Sequence, residues 1–563
     1  MKNLPTLSVN RLFQVAAGLF VLLALVGVIR AYSPVPYADE WDGFLGFYLR
    51  LQDGDWTAWW AQHNEHRLVL ARAVFWIDVE LFGGRGIFLF ATNFLLASLI
   101  AVIFWRMWLE SAVGRFPWVG AFLTAWLFSW IQEDNFSWGF QSQFFLAQLL
   151  PLMALYLLHR SSQAPRNIML FVLSLVLGVM SAGSMANGVL ALPLLFIFAV
   201  LARMGWQRIL SLGALAIIVT LFYYFDYKTI GDHGSLFQSL QQNPINAAHF
   251  LLLYLGAPFY YFLGKGDVSH AIAVAAGMFF VGSAVVVAIK LLPLAHERTL
   301  ALVLLMFLAF VGVGAVGTAG GRVVFGVEQA LASRYMTPVL MGWGALLILY
   351  LPYLEQLGKR MGDKIWIPFA FLLVLMLFQQ VAAFDSKKTR NFERKVAALA
   401  LELQIKDSDQ IKRVFPFVDW GLLIAQGARE LNLSIFGAAL IRDTNELIGA
   451  YMAPISLDPR LCNARIEEVV VVEDDPRFLR ISGWFQDPET SVLTQPILLR
   501  GLDNVVEGVV VLGPQRHARL GDGGGGGGSP MIKGYIRSTF RGEGVHVGAL
   551  WEGCQAFAGI PSS

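Results

Sequence analysis

The stretch RLFQVAAGLFVLLALVGVIRAYSPVPYADEWDGF, residues 11–44, decides what kind of chain this is. Residues 12–31 are almost wholly apolar, broken only by Gln14 and Arg30. At a helical rise of about 1.5 Å per residue, such a run is long enough to cross the hydrocarbon of a bilayer. A few residues later come three carboxylates, Asp39, Glu40 and Asp42, set around Trp41. No small-x-small cleavage site follows the apolar run, so it reads as a retained first span rather than a signal peptide.

The rest of the chain agrees. It has 563 residues, 56% hydrophobic and only 15% charged, against about 25% charged in soluble domains. Net charge is +2 with no basic stripe, which argues against a nucleic-acid partner. Spans are expected at 12–31, 87–108, 117–131, 142–159, 168–183, 188–204, 209–225, 268–290, 299–316, 338–354 and 365–384, making a polytopic α-helical membrane protein of about 11 spans. Lys2 and Arg11 place the N-terminus in the cytoplasm. The basic connections at 106–115, 159–166, 203–208, 290–298 and 355–364 then lie inside, and YADEWD, QEDNF and FDYKTIGDHG outside. Residues 245–263 would break this parity. They read as a re-entrant or interfacial helix on the outer side, which Gly256, Pro258 and the paired tyrosines suit, or as a true span paired with another. An odd span count puts the C-terminal part in the periplasm of a bacterial inner membrane.

Domain boundaries follow the change of pattern. Residues 1–384 form the membrane domain, with the first outer loop at 32–86, and 385–454 a helical connector. Residues 455–563, with short β-rich runs between Gly, Pro and Asp turns, are expected to fold as a β-sandwich or jelly roll. The glycine run at 521–530 reads as a floppy loop, since it lacks the strand, helix and Lys-Ser/Thr pair of a phosphate loop. Cys462 and Cys554 are the only cysteines. They fit one disulfide in an oxidising compartment, or two unrelated thiols.

Candidate chemistry concentrates in the first loop. HNEHR carries His63, Glu65, His66 and Arg67, with Arg72 beyond. The zinc-protease spacing His-Glu-x-x-His is absent. A divalent cation on the first-loop carboxylates stays open, and metal-independent chemistry equally so. Asp134 and Gln141, Asn187, and then Arg322, Arg334 and Tyr335 lie near span ends. Charges there are costly unless paired or functional. Guanidinium groups suit phosphate oxygens.

With acids directly after span one, amphipathic segments beside them, many spans and a soluble C-terminal domain, the chain resembles the GT-C membrane glycosyltransferases. ADEWD occupies the place of that family's first-loop acidic motif. NEHR and ASRY look similar to a subgroup like the bacterial pilin arabinofuranosyltransferases. The resemblance covers about residues 1–384. It implies transfer of a sugar from a polyprenyl-phosphate carrier to a periplasmic protein or glycan acceptor. Asp39 is then the preferred base, followed by Asp42 and Glu40. Arg334 and Arg67, then His66, Arg72 and Arg322, are expected at the donor phosphate. Trp41, His63, Glu65, Asp134, Gln141, Asn187 and Tyr335 are expected at substrate.

Other classes stay in play. A flippase or transporter would want inverted repeats and mid-membrane charges, and no repeat is seen. An O-antigen ligase or polymerase would place its main outer loop late. A receptor using the β-domain leaves the early acids unexplained.

Overall fold

The computed structural model describes residues 4–111, 116–228, 241–361, 364–452, 462–486, 496–515, 529–540, 542–549 and 555–561. It divides into two compact units. One holds Met1–Tyr32, Trp59–Val74 and Leu89–Asp385; the other holds Ser33–Ala58, Phe75–Phe88 and Ser386–Ser563. The first loop therefore contributes to both.

The first unit is a bundle of apolar helices. Among the described residues eight of them, such as Ser8–Ala31, Ile87–Ser111 and Thr299–Phe325, are long and apolar enough to cross a membrane. The helices Ile168–Ala182 and Ala186–Leu201 fall short of that length. The expected span at 117–131 is a helix only over Trp118–Leu127, after which the chain turns irregular and stays buried. Segment 245–263 is a helix, as expected, but without the irregular point: it runs unbroken over Pro244–Phe262 and through Pro258. Gly256 serves contact instead of a break: a Cβ there would lie 1.7 Å from the Ala273 carbonyl oxygen, and one on Gly277 2.0 Å from that of Leu252.

Irregular backbone inside an apolar bundle needs its polar groups satisfied, and long-range side chains do this for residues 128–141. Gln380 accepts from the Trp130 amide at 2.8 Å and donates to the Phe20 and Phe128 carbonyls. Asn93 donates to the carbonyls of Asn135 and Trp138. Asn135 donates to Thr337 at 2.7 Å, and Thr337 in turn to Gln132 at 2.6 Å. At another end of the unit, His159 joins Glu110 at 2.7 Å and Thr299 at 2.8 Å. Two connections assigned to the inner side, with the base of a third helix, thus meet one another.

Among the described residues of the second unit, seven antiparallel strands form one sheet. They are β1 (Asn463–Val471), β2 (Phe478–Gln486), β3 (Ile497–Arg500), β4 (Val506–Gln515), β5 (Pro530–Arg537), β6 (Gly544–Ala549) and β7 (Gln555–Gly559), in the order β1-β2-β5-β4-β3-β6-β7. The edge strands β1 and β7 touch, so the sheet is curled almost into a barrel. This replaces the expected two-sheet sandwich. Bulges at Ile466/Glu468, Leu499/Arg500 and Leu512/Gln515 supply the bending. So do glycines in central strands: a Cβ on Gly534 would lie 2.2 Å from the Val509 oxygen.

Period-two residues such as Ile497, Leu499, Ile532 and Ile536 fill the inside of the curl. The opposite face is buried too, at Leu498, Val509, Val511 and Tyr535. Helix Lys388–Glu402 lies against it, with Glu393 paired to Lys533 at 3.0 Å. Asp407, just beyond that helix, meets Arg480 at 2.7 Å and the Tyr535 hydroxyl at 2.8 Å. The connector and the β-rich part are one packed unit. Cys462 is disulfide-bonded; Cys554 and the glycine run at 521–528 lie outside the described residues.

Candidate functional site

The sequence-derived candidates divide between the two units. In the second unit, residues 34–46 are pinned by the helical segment 408–436. The Ala38 amide donates to the Val414 carbonyl at 2.7 Å. Ala38 sits at φ 49°, a left-handed conformation unusual for a residue with a Cβ. Such strain is held where surrounding structure over-determines it.

The residue after it, Asp39, is half-buried. Among the described residues its carboxylate has no hydrogen-bond or ion-pair partner. Its neighbours are engaged. Glu40 accepts from the Tyr37 amide at 2.8 Å, and Asp42 from the Trp420 indole at 3.1 Å. Trp41, expected at substrate, is 0% exposed. Its indole donates to the Pro36 carbonyl at 2.9 Å and its ring packs on Phe415 and Phe436. It anchors the acids and is too enclosed to meet a ligand.

In the first unit, a minimal hairpin pairs Gln62–His63 with Arg67 and His66. Asn64, at φ 48°, makes its tight turn. The hairpin gathers loops from distant parts of the chain. The Glu65 carboxylate pairs with Arg322 at 3.3 Å, and its carbonyl accepts from Tyr227 at 3.2 Å and Tyr223 at 3.4 Å. His63 packs on Phe140, next to Gln141. His66 Nδ1 accepts the Ala186 amide at 3.3 Å, next to Asn187. That bond leaves the ring proton on Nε2. Burial holds the His66 pKa down at about 4, opposed in part by the Glu65 carboxylate, so the ring is a neutral donor at pH 7.

Two of the expected phosphate ligands are instead structural. Arg67 is 3% exposed. Its guanidinium donates to the carbonyls of Tyr223, Trp60 and Phe225 at 3.0, 2.8 and 2.9 Å, and lies over the Trp60 ring. Arg72, also buried, donates to Trp59 and Ala61 carbonyls at 3.2 and 2.6 Å. Both arginines tie down the chain around the hairpin, because loop carbonyls beside an apolar bundle need donors.

Arg334 and Tyr335 join a second group. The Asp134 amide donates to Ser333 at 2.9 Å and Asn135 to the Arg334 carbonyl at 2.9 Å, which brings Asp134 beside Arg334. Arg334 lies over the Tyr335 ring, and Tyr335 packs on Tyr254 and Phe144. The buried amide oxygens of Gln141 and Asn187 have no hydrogen-bond partner among the described residues. Tyr223 and Tyr227 were missed in the sequence reading; their signal was the aromatic run LFYYFDY at a span end. Among the described residues no three His, Cys, Asp or Glu side chains are grouped to hold a metal ion.

The fold defines the chain as a helical membrane protein carrying a β-rich domain. No family model and no curated protein matches it.

Proposed function

We propose that the protein is a membrane glycosyltransferase that moves a sugar from a polyprenyl-phosphate carrier to an acceptor hydroxyl. The observation that carries this reading is Asp39: of three clustered first-loop acids, it alone keeps a carboxylate with no partner among the described residues. In the reaction Asp39 takes the proton from the acceptor hydroxyl, whose oxygen attacks the anomeric carbon. The bond from that carbon to the phosphate oxygen breaks, and the electron pair leaves on the lipid phosphate. That leaving group is already anionic and needs cations and donors rather than an acid.

Within the first unit, Arg322, Arg334 and neutral His66 are the groups suited to an anionic phosphate, and the amide oxygens of Gln141 and Asn187 those suited to hydroxyls. Arg67 leaves the ligand set because its donors are spent on backbone carbonyls, and Arg72 because it is buried and tied through Nη1 to two loop carbonyls. A periplasmic location and a protein or envelope-glycan acceptor belong to the same proposal.

The test is sugar transfer from a polyprenyl-phosphate donor pool in membranes carrying the wild type or Asp39→Asn at matched levels. Transfer by the wild type and its loss in a folded Asp39→Asn variant are expected. Full activity of that variant overturns the assignment of the base.

A further inference from the structure

Two segments of the second unit are tied to each other at both ends. The Ala38 amide donates to the Val414 carbonyl at 2.7 Å, and the Trp420 indole donates to Asp42 at 3.1 Å. Residues 38–42 therefore run beside residues 414–420. The Gly43 amide donates to the Asp39 carbonyl at 2.7 Å, which makes 39–43 a helical turn. Residues three apart on such a turn are neighbours on its surface. Asp39 thus lies next to Asp42, along the stretch that carries Phe417 and Trp420.

The rings on that stretch are open. Phe417 is 66% exposed and Trp420 44%, while Phe415 and Val418 point into the core. Phe415 meets Phe417 edge-on at 5.6 Å and packs on the buried Trp41. Trp420 has no ring or cation contact among the described residues. Its bond to Asp42 uses the only donor of the indole and holds the ring at one angle. What remains is a flat apolar surface beside two acids, of which Asp39 has no partner among the described residues.

A base must hold the acceptor hydroxyl within hydrogen-bond distance, so the body of the acceptor covers the surface next to that base. An aromatic face carries the negative part of the ring quadrupole and takes the C–H face of a sugar ring, whose hydroxyls the carboxylates can accept from. A basic polypeptide would also be drawn to rings and acids. Its cation, however, would hold Asp39 in the charged form and weaken it as a base. The same carboxylates disfavour an anionic lipid surface.

Resting on Asp39 as the base, we propose that Phe417 and Trp420 bind the acceptor and that the acceptor is a glycan, with sugar rings stacked on these two side chains and one hydroxyl directed to Asp39.

The test uses the full-length protein in detergent with a radiolabelled polyprenyl-phosphate sugar pool and two acceptor probes, protease-digested envelope glycan and delipidated envelope protein. Label is expected in the glycan. The double variant Phe417→Ala with Trp420→Ala should raise the glycan concentration for half-maximal rate at least about tenfold, with the saturated rate within about twofold of wild type. Phe417→Ala alone removes only an exposed ring, so it stays informative should the double variant not fold, and should raise that concentration about threefold. Trp420→Phe keeps a ring without the N–H and should stay within about threefold of wild type. Leu502→Ala, at a 75% exposed apolar position elsewhere in the unit, should change neither quantity. Label confined to the protein, or ring variants that leave the half-saturating glycan concentration unchanged, overturns this inference alone; the latter is what a structural or lipid-facing role for the rings gives. Absence of transfer by the wild type to either probe overturns the glycosyltransferase reading and this inference with it.

Discussion

Glu65 and Arg322, 257 residues apart in the chain, form an ion pair at 3.3 Å in the membrane-helix unit. Both are about a quarter exposed. The pair links the first-loop hairpin to the end of helix Thr299–Arg322. Its neighbour Arg67 is held quite differently, by three carbonyls in a buried setting.

That contrast gives the first prediction. Glu65→Gln should cost about 1 kcal/mol of stability or less, as partly exposed pairs do. Arg67→Ala should cost about 3 kcal/mol or more, because it strands several buried acceptors. Arg67→Lys should not restore it, since one ammonium cannot reproduce the guanidinium fork. Thermal unfolding in detergent measures all three. An Arg67→Ala variant as stable as wild type would return Arg67 to the list of ligand-binding groups.

The three first-loop acids should separate in activity. Asp39→Asn is expected to lower sugar transfer by about 10²–10⁴-fold, the usual contribution of a general base. Asp42→Asn keeps an oxygen for the Trp420 indole and should lose less than about tenfold. Rates measured at equal protein levels decide it, and equal losses in both variants would mean the acids act as a group.

Backbone contact between two helices makes Gly256 intolerant. Gly256→Ala puts a methyl into the Ala273 carbonyl and should cost at least about 1–3 kcal/mol. Gly264→Ala is a poor control because its φ is 94°, whereas Gly282→Ala enters open space in the neighbouring helix. Denaturation midpoints of Gly256→Ala and Gly282→Ala should differ clearly, the first being lower.

Glu402 should make stability depend on pH. Burial raises its folded-state pKa to about 7, only partly opposed by Arg429, from an ordinary value of 4.5. The folded state therefore holds this proton more tightly than the unfolded chain. The stabilisation is complete below about pH 4.5 and is lost as pH rises through 7. Glu402→Gln does not titrate, so its stability relative to wild type should rise between pH 5 and 7 and then level off. A constant difference in melting temperature across that range would contradict the raised pKa.

Much of the helical part was legible from composition. Runs such as 12–31 and 299–316 announce spans because hydrocarbon selects apolar residues along a whole helix. Segment 117–131 reads as one apolar span, although the helix ends at Leu127 and its last four residues are irregular. What holds the chain from 128 to 138 in place is Asn93, Thr337 and Gln380, residues whose distance in sequence hides them. The alternating strands were visible as strands. Their joining into one curled sheet was not, because bulges and close glycine contacts depend on partners across the sheet.

The amino-acid sequence alone determined that this is a helical, membrane-type chain with a β-rich end. It also marked the acids near residue 40 and the cluster near residue 65 as the places to look. Those conclusions rest on local properties: run length, periodicity and charge. Only tertiary structure decided which of those groups remain available. It turned Trp41, Arg67 and Arg72 into anchors, left the Asp39 carboxylate without a partner among the described residues, and drew Glu65, Arg322 and the tyrosines together. It also set the first-loop acids beside the stretch that carries Phe417 and Trp420. Burial and hydrogen-bond supply are properties of neighbours in space, and residues hundreds of positions apart provide them.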